Sequence, residues 1–303
     1  MGTMTQSADI QLRAIAAYLG LAVGDALGAT VEFMTPAEIR HQYGTHKHMI
    51  GGGWLRLQTG EVTDDTEMSL ALGDAILTTG GIEATPIAEA FSTWMRGKPK
   101  DIGNTVRRGI VYYRQTGLTA TEPREHDAGN GACMRCLPIA LATLGSPWEN
   151  VQAASRLQAH ITHNNPLSDA GTECILRMVQ TALNGQPMTE LEHIALNLVQ
   201  VYPPFEYRNT RCDNPSGFIV DTLRAVFQAL FSTTCFEAAL IDVVNRGGDA
   251  DTTGAILGMV AGAYYGPDCI PNDWLERLDT WINQQCTGQA VALTQLANQG
   301  FPS

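Results

Sequence analysis

The stretch that decides the fold is Gly247-Gly248-Asp249-Ala250-Asp251-Thr252-Thr253-Gly254-Ala255-Ile256-Leu257-Gly258-Met259-Val260-Ala261-Gly262-Ala263-Tyr264-Tyr265-Gly266. Its second half carries a helical apolar stripe from Ile256 to Tyr264, with glycine every four residues at 254, 258, 262 and 266. A second stretch repeats that spacing at Gly20, Gly24 and Gly28. There Leu12, Ile15, Ala16, Leu19, Val23, Ala26 and Leu27 follow the i, i+3, i+4, i+7 pattern of a core-facing helix. Glycine inside a helix costs about 1 kcal/mol relative to alanine. A stripe of it is tolerable where two backbones must approach closely. The two stretches are therefore expected to pack tightly at the centre of a helical core, which would also hold a site rigid.

Helical stripes recur outward from this pair in Met68 to Leu77, Ile87 to Met95, Cys136 to Leu144, Cys174 to Leu183, Leu191 to Val201 and Phe218 to Phe231. Glycine, proline and asparagine clusters punctuate them, as in Gly51-Gly52-Gly53, Asn164-Asn165-Pro166 and Pro203-Pro204. Strand-like alternation is nearly absent, and neither a linker nor a repeat period divides the chain. The pattern predicts an all-α fold, a single compact multi-helix domain over residues 5–303. Residues 1–4 are set apart as a scar ahead of the natural chain, with Met4 read as its start, and 285–303 as a polar C-terminal segment.

Composition narrows the function. Across 303 residues, 19 basic and 31 acidic side chains leave a net charge of −12, which argues against a nucleic-acid backbone partner. The uncharged run from Thr252 to Pro267 is too short to span a bilayer, and no membrane segment or signal peptide is read. The start Met1-Gly2 carries Gln6 where a myristoylation signal has Ser or Thr. Seven cysteines without an export signal read as reduced cytosolic thiols. Cys133-x-x-Cys136 lacks both a thioredoxin-like context and a second zinc pair.

Two short acidic segments precede helices: Thr63-Asp64-Asp65-Thr66-Glu67 and Asp249-Ala250-Asp251-Thr252-Thr253. Either alone reads as helix capping, since Thr and Asp accept bonds from orphan N–H groups and suit the positive end of the dipole. Together they mean more. If the core brings both helix starts together, Asp64, Asp65, Asp249 and Asp251 converge, and such a cluster requires cations. All the donors are oxygens, which points to Mg²⁺ or Mn²⁺, and four shared carboxylates suffice for two ions. An EF-hand is excluded because its twelfth position holds Val260 rather than Glu.

With Gly24-Asp25-Ala26-Leu27-Gly28-Ala29, Glu32-Phe33, Gly129-Asn130-Gly131, Met134-Arg135 and Thr162-His163 added in order, the chain resembles the ADP-ribosylglycohydrolases over roughly residues 10 to 280. Within that family it looks most like the branch that reactivates the iron protein of nitrogenase (dinitrogenase reductase). The resemblance implies an all-α fold with a dinuclear Mn²⁺ or Mg²⁺ centre in a cleft, and hydrolysis of the bond joining ADP-ribose to an arginine side chain. It implies that Thr63, Asp64, Asp65, Asp249, Asp251 and Thr252 bind metal. It makes Asp101 and Glu32 the catalytic carboxylates, and Gly129, Asn130, Gly131, His163 and Phe218 the substrate-binding residues. Phe218 stands where relatives often have Tyr, so it keeps stacking capacity and loses a hydroxyl. Read without the resemblance, Glu32 is an exposed loop carboxylate, Asp101 a helix N-cap before Val106 to Tyr113, and His163 a helix-terminal side chain.

The reaction implied has an oxocarbenium-like transition state, with two metals orienting the ribose and acidifying water. The implied substrate is an ADP-ribosylated protein, with a nitrogen-signalling PII protein as regulator and membrane sequestration through an ammonium transporter. The chain is otherwise expected to be a cytoplasmic monomer. Three alternatives stand beside this: hydrolysis of an ADP-ribosyl-serine or ADP-ribose ester linkage, a non-catalytic binding or structural relative, and an unrelated protein with capped helices.

Overall fold

The computed structural model describes residues 2–299, so Met1 and the last four residues of the expected domain (300–303) lie outside the described residues. The chain folds as α1 (Gly2–Gly28), α2 (Pro36–Tyr43), α3 (Asp64–Thr79), α4 (Ala84–Arg96), α5 (Asn104–Thr116), α6 (Leu137–Ala142) and α7 (Trp148–Ala159). It continues as α8 (Pro166–Leu183), α9 (Met188–Val201), α10 (Ile219–Ser232), α11 (Phe236–Val244), α12 (Ala250–Tyr265), α13 (Asn272–Arg277) and α14 (Thr280–Gln299). Among the described residues the only β pairings are two isolated bridges. Each apolar stripe read from the sequence falls on a helix, although that from Cys136 to Leu144 runs past both ends of the six-residue α6, and the fold is the expected all-α domain.

The core is organised around α12, whose residues from Ala250 to Ala263 are all buried. It packs on α1, α8, α10 and α11. The two glycine stripes face one another along an antiparallel seam. A Cβ built on Gly20 would stand 2.2 Å from the Gly258 carbonyl oxygen, and one on Gly24 would stand 2.0 Å from that of Gly254. A Cβ on Gly28 would stand 2.1 Å from the Ala250 oxygen, and one on Gly262 2.1 Å from that of Ala16. These contacts lie backbone to backbone, so no side-chain motion could relieve them. The seam also fixes which ends meet: the C-terminus of α1 lies against the N-terminus of α12.

Two readings of the sequence change here. The segment Ser7–Gly28 is long and apolar enough to cross a membrane, with a mean hydropathy of 1.3, although none was read there. It is mostly buried against its neighbours, which accounts for that composition without a bilayer. The polar C-terminal segment is likewise no tail. Up to Gln299 it forms most of α14 and buries Cys286, Gln289, Ala290, Leu293 and Thr294. Gln289 is tolerated inside because its amide accepts from the Tyr18 hydroxyl (2.8 Å) and donates to the Leu70 carbonyl (2.8 Å) and to Asp74 (2.6 Å).

Candidate active site

Three helix ends make the site. Asp25, in the last turn of α1, is fully buried beside the start of α3. Its carboxylate accepts from the backbone N–H of Thr63 (3.0 Å) and Thr66 (3.1 Å) and from their hydroxyls (2.9 and 2.5 Å). The orphan N–H groups of α3 are thus capped by a residue 38 positions away. Thr63, the N-cap of α3, makes no side-chain capping bond, and neither does Asp249, the N-cap of α12. Neither N-cap side chain therefore caps its own helix, and within the two segments the one bond to an orphan N–H is that of Asp251 Oδ1 with the Thr252 N–H, at 2.8 Å.

What the acidic side chains do instead is converge. Thr63 Oγ1 lies 3.3 Å from Asp65 Oδ2 and 3.5 Å from Asp251 Oδ2, and Thr252 Oγ1 lies 3.4 Å from Asp65 Oδ2. Asp249 Oδ2 accepts from the Asn130 amide at 2.5 Å, and Asp64 Oδ2 from the Gly103 N–H at 3.4 Å. Asp64, Asp249, Asp251 and Thr252 line a cleft of about 360 Å³ together with Glu32, Asp101, Gly129, Asn130, Gly131 and His163. Glu32, Asp101 and Asp251 offer oxygens that all lie within 4.8 Å of one another, a set that could hold a metal ion. Two of those three were assigned to proton transfer, so the grouping cuts across the expected division between metal and catalytic residues.

Local backbone explains these placements. Gly247 and Gly248 have φ of 70° and 63°, and a Cβ on either would stand about 2 Å from the Met34 or Pro215 carbonyl oxygen. This lets the 33–34 turn pair with 247–248 through Phe33 N–H to Gly248 O (2.7 Å) and Gly248 N–H to Met34 O (2.9 Å). Glu32 is thereby tied to the start of α12 and is buried, not the exposed loop carboxylate its surroundings in sequence suggest. Asp101 does not cap α5, whose N-cap is Gly103; it accepts from the Ile102 N–H at 2.7 Å.

The electrostatics follow from burial. Burial, with like charge from Asp101, Asp249 and Asp64, pushes Glu32 up to about 8 against the pull of the Trp54 N–H, and burial raises Asp25 to about 6. Asp64, Asp65 and Asp251 are driven well above the carboxylate range by burial first and then by neighbouring acids, Asp25 and Asp249 acting on all three. Asp249 and Asp101 are raised as well, chiefly by burial. Asp65 Oδ1 is buried with no hydrogen-bond partner, an arrangement that costs about 1–3 kcal/mol unless something satisfies it. An oxygen-only donor set, an orphaned carboxylate oxygen and mutually repelling acids fit a divalent cation.

The substrate-side residues are placed less uniformly. Gly129 and Gly131 pack on His163; a Cβ on them would stand 3.0 Å from its Nε2 and 2.7 Å from its Cε1 respectively. Their close approach is thus to the histidine. Both N–H groups of Asn130 are engaged, by Asp249 and by Thr222 Oγ1 at 2.9 Å. Gly217 lines the cleft, whereas Phe218 is not among the lining residues; it is 40% exposed and bridges Gly129 through the backbone. Sequence reasoning missed Trp54, which lines the cleft and donates its indole N–H to Glu32 Oε2 at 2.6 Å. It also gave no role to Phe33, whose ring centroid stands 5.4 Å from that of Trp54. The glycines around Trp54 mark a loop and give no hint of the contact.

Comparison with known proteins gives a consistent picture. A family model described as ADP-ribosylglycohydrolase matches residues 6–300. The chain is 50% identical over 285 residues to the ADP-ribosyl-[dinitrogen reductase] glycohydrolase of Rhodospirillum rubrum, covering 94% of this chain and 96% of that protein. It is 34% identical over 282 residues to the ADP-ribosylarginine hydrolase Tri1 of Serratia proteamaculans, covering 88% and 75%. A solved structure described as an ADP-ribosylglycohydrolase-related protein complex superposes with a TM-score of 0.83 at 33% identity, over 95% of this chain and 99% of that one.

Proposed function

The chain belongs to the ADP-ribosylglycohydrolase family, and we propose that it releases ADP-ribose from an arginine side chain of a target protein, foremost the iron protein of nitrogenase. The relatives named for dinitrogen reductase and for ADP-ribosylarginine support that linkage. The single observation that carries the reading is the meeting of two acidic helix starts, neither capped by its own N-cap side chain, at the base of one cleft.

Thr63, Asp64, Asp65, Asp249, Asp251 and Thr252 would hold two divalent cations, Mn²⁺ or Mg²⁺, with Glu32 and Asp101 beside them. Bound there, such ions supply positive charge to ribose oxygens and acidify water. The protein's own groups do the remaining work. Trp54 fixes one oxygen of Glu32 and leaves Oε1 to take or give a proton. The Ile102 N–H does the same for Asp101, leaving Oδ2. These two carboxylates manage the proton as the oxocarbenium-like centre forms and the guanidine leaves. The same reading makes the protein a cytoplasmic monomer of one domain. It also places the protein under a PII regulator, with an ammonium transporter drawing it to the membrane.

The test is release of ADP-ribose from ADP-ribosyl-arginine in Mn²⁺, beside ADP-ribosyl-serine and an ADP-ribose ester. Arginine release is expected, with a loss of about 10³-fold or more in an Asp64→Ala, Asp249→Ala double variant, the scale of lost transition-state charge stabilisation. Equal activity in the double variant would end the metal reading. Release from serine or the ester alone would overturn the linkage.

A further inference from the structure

Arg135 is fully buried in the wall behind the cleft, and no carboxylate pairs with it among the described residues. Its guanidinium is clamped. Nε donates to Gln158 Oε1 (2.9 Å), and Nη2 donates to the Gln158 carbonyl (3.0 Å) and to Thr162 Oγ1 (2.8 Å). Nη1 points at Met68 Sδ (3.7 Å), and the guanidinium carbon lies 4.3 Å from the centre of the Phe91 ring. A guanidinium has donors only, so Thr162 Oγ1 must accept from it. Among the described residues that hydroxyl has no other acceptor, so its single proton goes to His163 Nδ1, at 2.7 Å. An imidazole that accepts at Nδ1 carries its own proton on Nε2. That nitrogen faces Gly129 and Gly131, where a Cβ would stand 3.0 and 3.1 Å from it, and it has no hydrogen bond to protein among the described residues. Burial, together with Arg135 and Arg108, holds the ring neutral by pushing it down to about 3.

We propose that Arg135 is a positioning residue. Acting through the Thr162 hydroxyl, it locks His163 as the Nε2–H tautomer, so that the cleft wall presents a fixed donor to an oxygen acceptor of the ligand, a ribose hydroxyl or a phosphate oxygen. His163 then serves to orient the ligand and cannot act as the base. The identity of the ligand rests on the function proposed above; the relay itself does not.

The experiment is two-bond ¹H–¹⁵N correlation NMR on the histidine-labelled, Mg²⁺-loaded protein, alongside steady-state hydrolysis of ADP-ribosyl-arginine. The wild type is expected to show one tautomer at His163, protonated on Nε2 and unchanged between about pH 5.5 and 8. Thr162→Val and Arg135→Met are expected to give mixed tautomers. Both should raise KM about fivefold to tenfold, the scale of one misdirected hydrogen bond, with a smaller change in kcat. Thr162→Ser should restore the single tautomer and the KM, which a purely packing role for Thr162 would not predict. A wild-type ring protonated on Nδ1, or one that titrates in this range, overturns the relay even if the enzyme is active. An inactive wild type with the Nε2–H tautomer sinks the functional reading and leaves the relay standing.

Discussion

The middle of the α1/α12 pair and its acidic end follow opposite rules. In the middle, glycine meets backbone, and every residue of α12 from Ala255 to Ala263 is apolar and buried. At the end, within one helical turn, Asp25, Asp249 and Asp251 are buried beside Asp64 and Asp65 from α3; burial raises all five, and like charge adds to it for Asp64, Asp65, Asp249 and Asp251. The first region is stable by close packing. The second would relax by spreading its charges apart, and the first prevents it. A seam with no side chains to rearrange holds two helix ends in one place, so the cost of the acids remains available to bind cations.

That contrast can be broken from either side. The largest effect of a substitution in the seam is expected from Gly24→Ala, whose Cβ would stand 2.0 Å from the Gly254 carbonyl oxygen. Parting the helices should cost about 3 kcal/mol or more in a denaturant titration, and hydrolysis should fall with it because Asp25 and Asp249 would no longer be held in register. Unchanged stability would show that the seam is not the device that positions the acids.

The acidic end is tested by the dependence of stability on pH without metal. Glu32 rises from 4.5 to about 8 and Asp25 from 3.8 to about 6. The folded protein keeps protons that the unfolded chain has released. Stability is therefore fully present below about pH 4 and is lost as the pH climbs toward 8, by about 1.4 kcal/mol per pH unit for each such proton. Thermal melts in a chelator should decline across that window, and saturating Mn²⁺ should flatten the decline. A melting temperature that rises with pH in the chelator would contradict the sign. The smallest effect is Gly288→Ala, at an exposed position of α14 with open space around it. It should add about 1 kcal/mol and leave hydrolysis untouched, separating helical glycines that matter from one that does not.

The sequence made the seam legible because a four-residue glycine period inside an apolar helix has few other uses. The meeting of Thr63–Asp65 with Asp249–Thr252 was legible through electrostatics, since two such segments in one small core need a common counter-charge. Asp25 was quoted within its glycine motif but given no role, because its task of capping α3 joins residues far apart in the chain and leaves no local signature. The hold of Trp54 on Glu32 and the lock of Arg135 on Thr162 are tertiary in the same way. Each joins a side chain to a partner whose spacing along the chain carries no period. Polar α14 misled for a different reason: Gln289 is buried through hydrogen bonds to Tyr18, Leu70 and Asp74, a compensation that composition does not register.

The central claim, that the starts of α3 and α12 close around divalent cations, is tested most directly by counting metal. Protein loaded with Mn²⁺ and freed of excess by gel filtration should retain two ions per chain by elemental analysis, and Asp64→Ala, Asp249→Ala protein should retain none. One ion or none in the wild type would contradict the dinuclear centre.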